Sequence, residues 1–200
     1  MRGEFGYETT TLDSEGNVTR TEKFDHITVD DLEGVLPFFV GEISQVPPLF
    51  SAIQKNGKRL YESGREGVKA EDIEIDPRQV KIHSLELLDR DQIELPRFRL
   101  AVDCGGGTYI RSLVRDIGYK LNTVANTVGL ERTKQGPFRL EDCLSRDDWS
   151  VESLHRDTQS HAQKAAKRHC HATPNRRTIT HNQRSDRHRR SPIALSKTRK

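Results

Sequence analysis

The sequence predicts an α+β fold, and three observations carry that expectation. Phe98, Leu100 and Val102 alternate with Arg97, Arg99, Ala101 and Asp103, the period of two that marks a half-buried strand. Ile110, Leu113, Val114, Ile117 and Leu121 recur at helical spacing and line up as one apolar stripe. Between the two, Gly105, Gly106 and Gly107 supply the backbone freedom that a tight strand-to-helix reversal needs.

The remaining elements follow in chain order. Asp13-Ser14-Glu15-Gly16 reads as a turn joining two extended stretches, with Asp and Gly at the ends of a tight reversal. Thr28 followed by Asp31 has the form of a helix N-cap with an acidic residue in its first turn. Val29, Leu32, Leu36 and Phe39 then recur near helical spacing, and Pro37 should kink or shorten that helix. Gln45-Val46-Pro47-Pro48 must be extended, because each proline biases the residue before it away from the helical region. Asn56-Gly57 is a turn signal separating Ser51-Ala52-Ile53 from Leu60-Tyr61. Val80 to Leu88, β-branched and aliphatic, forms a strand ahead of the alternating one. The helix of the apolar stripe begins at about Thr108, tolerates Gly118, and carries Arg111 and Arg115 four apart on a different face. Tyr109 and Arg111 sit in its first turn, beside the positive end of the helix dipole, where an anionic group is favoured.

Two hundred residues with 32% apolar and 32% charged side chains leave room for one compact domain and polar sequence besides. The longest apolar run is the six residues Val35 to Val40, against roughly 20 needed to span a bilayer, and no apolar stretch near Met1 could serve as a secretion signal. The expectation is a soluble, intracellular protein without membrane contact. Cys104, Cys143 and Cys170 are odd in number, far apart and without a CxxC pair, so neither a disulfide framework nor a zinc site is indicated. His169-Cys170-His171 lacks the second ligand pair that a metal site requires.

Charge divides the chain. Residues 155–200 hold 13 Lys/Arg against two Asp/Glu, so residues 1–154 hold 20 against 28, and the tail is +11 where the body is −8. Ile179, Ile193 and Leu195 are the tail's large aliphatics and it has no aromatic residue, which is too little to bury a core; a disordered basic tail is expected from about 155 onward. The organisation is therefore a body, 1–154, and a tail, 155–200. The tail either binds RNA or DNA phosphates in a salt-dependent, sequence-blind way or does nothing specific. Its clusters Arg176-Arg177 and Arg187-His188-Arg189-Arg190 are read either as nuclear import signals or as solvated charge. Nuclear and cytoplasmic locations both fit, and a mitochondrial one stays open.

Three readings of the glycine bend stand side by side. It can cradle phosphate on backbone N–H groups, although it has neither GxGxxG nor GxxxxGK[ST] spacing and no lysine follows it. It can be a structural reversal, with Arg111 a solvated helix arginine. Or Arg111 can pair with a carboxylate in an RNA-modifying site, and for that reading three further segments matter.

The segments Gln45-Val-Pro-Pro-Leu-Phe-Ser-Ala-Ile-Gln-Lys-Asn-Gly-Lys-Arg-Leu-Tyr-Glu, Cys104-Gly-Gly-Gly-Thr-Tyr-Ile-Arg-Ser-Leu-Val and Glu131-Arg-Thr-Lys-Gln-Gly-Pro-Phe, in that order, closely resemble the TruB family of tRNA pseudouridine synthases. Thr11-Leu-Asp-Ser-Glu-Gly also resembles a turn of that family, so the resemblance covers residues 2 to 154. It implies a mixed, mostly antiparallel sheet with flanking helices. It implies an enzyme, an intramolecular isomerase that flips a uridine from the T-loop of tRNA, breaks its glycosidic bond and rejoins the base through carbon, with no cofactor or metal. Eukaryotic members are the most similar. By motif position, Arg111 holds the nucleophilic aspartate ionised, Tyr109 lines the pocket, and Leu130 packs against the flipped base; an ordinary core leucine is the other reading of Leu130. An arginine beside a carboxylate favours the charged form and fixes it through a forked hydrogen bond.

The family's glycine-x-leucine-aspartate-proline segment, which carries the nucleophile, does not occur in these 200 residues. Asp13 is followed by Ser and belongs to the turn motif, so it does not take that role. The resemblance thus implies a synthase lacking its N-terminal part, with very low or absent activity as written. Lys55, with Lys58 and Arg59, flanks the Asn56-Gly57 turn, where a basic loop could follow a phosphate ridge or simply be solvated. Arg132 and Lys134 form a second basic pair suited to phosphate. The expected partner is tRNA and the expected state a monomer. The alternative function is a noncatalytic RNA-binding or tRNA-chaperone protein.

Overall fold

Alternation and turn chemistry fix the first hairpin. In the computed structural model, which describes residues 1–156, 158 and 159, β1 (Arg2–Phe5) leads into β2 (Tyr7–Thr9), and β2 pairs antiparallel with β3 (Val18–Thr21) around the Asp13–Gly16 turn. The Gly16 N–H donates to the Asp13 carbonyl and the Thr10 N–H to Asn17, which closes the reversal. Thr28 then caps α1 (Val29–Val35): its hydroxyl accepts from the Asp31 N–H while the Asp31 carboxylate accepts from the Thr28 N–H. Burying Leu32 seats this helix. Pro37 ends it, because a proline ring cannot follow the α ladder, and Leu36–Phe39 tighten into a 3-10 turn.

β4 (Gly41–Gln45) follows, then the extended Val46–Pro48 stretch, then a two-residue hairpin of β5 (Gln54–Lys55) and β6 (Lys58–Arg59). Asn56 (φ 54°) and Gly57 (φ 79°) are both left-handed, the geometry a two-residue hairpin turn demands. The chain past this turn is helical at once, as α2 (Leu60–Arg65). β7 (Arg78–Leu88) and β8 (Arg97–Cys104) are the long central strands, α3 (Ile110–Lys120) crosses the sheet, and β9 (Ala125–Gly129) closes it.

These strands form one sheet in the order β4, β7, β8, β1, β9, with every neighbouring pair antiparallel. The one parallel contact among the described residues is an isolated bridge between Asp13 and Thr127. Phe5, Ile82 and Leu100 from the sheet and Leu113, Val114 and Ile117 from α3 make the buried layer, with the Phe5 and Phe98 rings stacked at 4.5 Å. Burying a side chain of this size contributes about 1.5–3 kcal/mol, so the stripe alone accounts for the seating of α3. Gly118 does more than the helix merely tolerating it: a Cβ there would lie 2.8 Å from the Ala125 backbone nitrogen, so only glycine lets α3 approach β9 this closely.

The chain divides into two compact units, Met1–Thr133 and a second beginning at Lys134. In the second, β10 (Lys134–Gln135) and β11 (Phe138–Arg139) form a short antiparallel hairpin. Ser150 then caps a helical stretch over 151–156, its hydroxyl accepting from the Ser153 N–H. This helical stretch runs across residue 154. The rest of the basic tail, including Cys170, lies outside the described residues. No helix among the described residues is long and apolar enough to cross a membrane, and they contain no cluster of three metal-binding side chains.

Candidate active site

The site is assembled on the first turn of α3. Gly107, at φ 84°, turns the chain where a side chain would be strained, and the Thr108 hydroxyl donates to the Gly105 carbonyl to close the bend. Thr108 thus belongs to the bend, Tyr109 is the N-cap, and the helix begins at Ile110, two residues later than its sequence suggests. Tyr109 has no capping side chain of its own. Its N–H donates instead to Gln45 Oε1 at 2.8 Å, supplied from the end of β4. That N–H is therefore already committed, which disfavours the bend as a phosphate cradle.

The extended Gln45–Phe50 stretch lies along the polar side of α3 and offers it carbonyl groups. Val46 O accepts from Ser112 Oγ at 2.9 Å and from Arg115 at 3.0 Å, and Phe50 O accepts from Arg111 at 2.9 Å. The prolines keep this stretch from coiling into its own hydrogen bonds, so its carbonyls are available to the helix.

Arg111 is held from three directions. One terminal nitrogen donates to Thr11 O at 2.7 Å and to Asp13 Oδ2 at 2.9 Å, and the other donates to Phe50 O. Both partners of the ion pair are about one quarter exposed. The Asp13 carboxylate is fixed in turn: its Oδ1 accepts from Thr11 Oγ1 at 2.6 Å and from the Glu15 N–H at 3.1 Å. Of the five N–H donors of the guanidinium, three are thus committed, and the other two have no partner among the described residues. Arg111 is no solvated helix arginine. The carboxylate it pairs with among the described residues is that of Asp13, across 98 residues of sequence.

The neighbouring charges on α3 are spent differently. Arg115 pairs with Asp116 and Val46 O and lies over the Tyr119 ring at 5.9 Å. Burial pushes the Asp116 carboxyl above its ordinary range, with Arg115 opposing. The Tyr119 hydroxyl donates to Glu8 Oε2 at 2.7 Å; burial, followed by that carboxylate, raises the phenol to about 12. Arg111 and Tyr119 therefore fasten the β2–β3 hairpin to α3 at two points two helical turns apart.

The other anticipated residues scatter. Tyr109 adjoins Arg111 and is half-buried. Leu130, just past β9, is 58% exposed, so it is not a core leucine. Arg132 is exposed and makes a contact of its own. Lys134 belongs to the second unit, in β10 opposite Arg139. Lys55 donates to the Glu74 carbonyl and Lys58 pairs with Glu66, so two cations of the β5–β6 hairpin already have partners. Sequence reasoning missed Gln45, Phe50 and the pairing role of Asp13. The signal for Asp13 was its turn motif, which fixes a carboxylate near a backbone N–H but does not reveal what faces it.

Residues 1–110 match the model of the TruB family pseudouridylate synthase N-terminal domain. Pseudouridylate synthase TRUB1 of Homo sapiens is 47% identical over 154 residues, covering 76% of this chain and 42% of that protein. tRNA pseudouridine synthase B of Pseudomonas syringae is 45% identical over 156 residues, covering 77% of this chain and 48% of that protein. A chain of the crystal structure of a Cbf5-Nop10-Gar1 complex is 26% identical with a TM-score of 0.47, covering 74% of this chain and 33% of that one. The chain therefore spans less than half the length of each of these three. From the domain match, the identities and the antiparallel sheet that seats Arg111, the chain belongs to the TruB family of pseudouridylate synthases.

Proposed function

We propose that these 200 residues are the RNA-holding, arginine-bearing part of a tRNA pseudouridine synthase that isomerises a T-loop uridine, and that this stretch alone binds such RNA without converting it. The observation that carries the reading is the state of Arg111: clamped by Asp13, Thr11 O and Phe50 O, with two donors left over. Such a guanidinium is ready to receive a second carboxylate in a forked hydrogen bond and hold it ionised, which is what a nucleophilic aspartate needs at neutral pH. By motif position Tyr109, two residues before Arg111, is assigned to the pocket for a flipped base, and the exposed Leu130 to an apolar contact with it. We assign phosphate contacts to Lys55, in exchange for its Glu74 carbonyl, and to Arg132; Lys134, on the second unit, is assigned one separately.

Among the described residues, the carboxylate that meets Arg111 is not assigned the nucleophile's role. Asp13 already accepts three hydrogen bonds from Thr11, Glu15 and Arg111 and is a positioning group. The absence of a glycine-x-leucine-aspartate-proline segment from these residues favours binding without turnover for the stretch taken alone.

The test is a titration of the 200-residue chain against a T-stem-loop RNA hairpin, with pseudouridine quantified after prolonged incubation. Saturable binding that weakens with salt, and no pseudouridine, is expected. Pseudouridine formation would overturn the binding-only reading, and failure to bind the hairpin more tightly than an unrelated RNA of equal length would overturn the tRNA assignment.

A further inference from the structure

We propose that Asn126 and Thr9 are positioning residues for the Arg111–Asp13 pair, joined in one directed relay: the Asn126 amide NH2 donates to the Thr9 hydroxyl, which donates to the Asp13 main-chain carbonyl. The turn that presents Asp13 is strained. Leu12 sits at φ 61°, in the left-handed region, which a leucine adopts only when its surroundings hold it there. Its N–H donates to Thr9 O and its carbonyl accepts from the Thr127 N–H, so the turn leans on β9. Below it lies a patch of fully or nearly buried polar side chains: Thr9, Asn126 and Thr127. A polar patch at a sheet edge would be costly if it did nothing for its neighbours.

The direction of the relay follows from proton counting. A threonine hydroxyl has one proton. Thr9 Oγ1 lies 2.6 Å from Asp13 O, which can only accept, so the proton goes there. The contact of 3.1 Å between Thr9 Oγ1 and the Asn126 side-chain amide is then a hydrogen bond only if the amide nitrogen faces the hydroxyl. The reverse orientation would oppose two acceptors and leave the amide N–H groups buried without a partner. Turning the amide leaves a carbonyl oxygen inward instead, which costs less than a stranded donor. The relay fixes the backbone of Asp13 while Thr11 and Glu15 fix its carboxylate, so Asp13 Oδ2 meets Arg111 without searching.

The bearing of the relay on uridine chemistry rests on the function proposed above, but the relay itself does not, so its test reads Arg111 directly and uses no RNA. In NMR spectra of the 200-residue chain, an Overhauser contact between an Asn126 Nδ2 proton and the Thr9 Hβ or methyl protons is expected. Its absence would overturn the relay. The terminal nitrogens of Arg111 should appear as distinct lines, because their rotation is arrested. Thr9→Val and Asn126→Leu should collapse those lines to an averaged signal, while Thr9→Ser, which keeps the hydroxyl, should retain them. Arrested Arg111 lines in a folded Thr9→Val chain would overturn the positioning role. If both variants unfold, the Overhauser contact in the unaltered chain decides.

Discussion

The two faces of α3 obey different rules. One face carries Leu113, Val114 and Ile117, all fully buried, and its partners are whatever apolar side chains the sheet presents. The other carries Arg111, Arg115 and Tyr119, and each needs a particular atom: Asp13 Oδ2, Val46 O and Glu8 Oε2. The apolar face is non-directional and tolerates substitution by shape. The polar face is directional, and a shift of about 1 Å empties it. The helix is thus a mount on one side and an instrument on the other.

Breaking the mount should cost most. Leu113→Ala removes a fully buried side chain between helix and sheet and should lower unfolding stability by about 2–5 kcal/mol, read from a denaturant titration. A loss under about 1 kcal/mol would mean that the helix is not seated by its stripe. Gln45→Leu should cost less, about 1–2 kcal/mol, because the Tyr109 N–H loses its acceptor while the amide nitrogen that has no partner is removed with it. A variant as stable as the parent would contradict the cap. Tyr119→Phe should have the smallest effect, and one that depends on pH. The folded phenol titrates at about 12, above the ordinary value near 10, so from pH 10 upward the unfolded chain ionises first and the parent loses stability that the phenylalanine variant keeps. The stability gap between the two should narrow as pH rises from 10 to 12; a constant gap would contradict the hydrogen bond to Glu8.

The same division explains what the sequence could tell. Strands over Val80–Leu88 and Arg97–Asp103, the helical stripe, the Thr28 cap and the Asn56-Gly57 turn are all local patterns, and all stand in the fold. Where the inward alternation slips from Ile82 to Leu85, a register shift between Ile82 and Ser84 accounts for it; nothing in the residue types announces it. Arg111 and Tyr109 were legible through motif resemblance. Gln45, Phe50 and Asp13 as their partners were not, because a contact spanning 61 to 98 residues leaves no periodic trace. Leu130 illustrates the limit from the other side: its residue type alone fits a core leucine as well as a base-contacting one, and only its solvent exposure removes the first reading.

The central claim is that the clamped guanidinium of Arg111 serves a uridine-binding site. The most direct test compares dissociation constants for a T-stem-loop hairpin and for the same hairpin with adenosine at the target position, in the parent chain and in Arg111→Lys. A lysine cannot engage Asp13, Thr11 O and Phe50 O together. The account predicts a preference for uridine of about tenfold, equivalent to roughly 1.4 kcal/mol, that disappears in Arg111→Lys while the folded spectrum is kept. Equal affinity for both hairpins in the parent, or a uridine preference that survives the substitution, would contradict it.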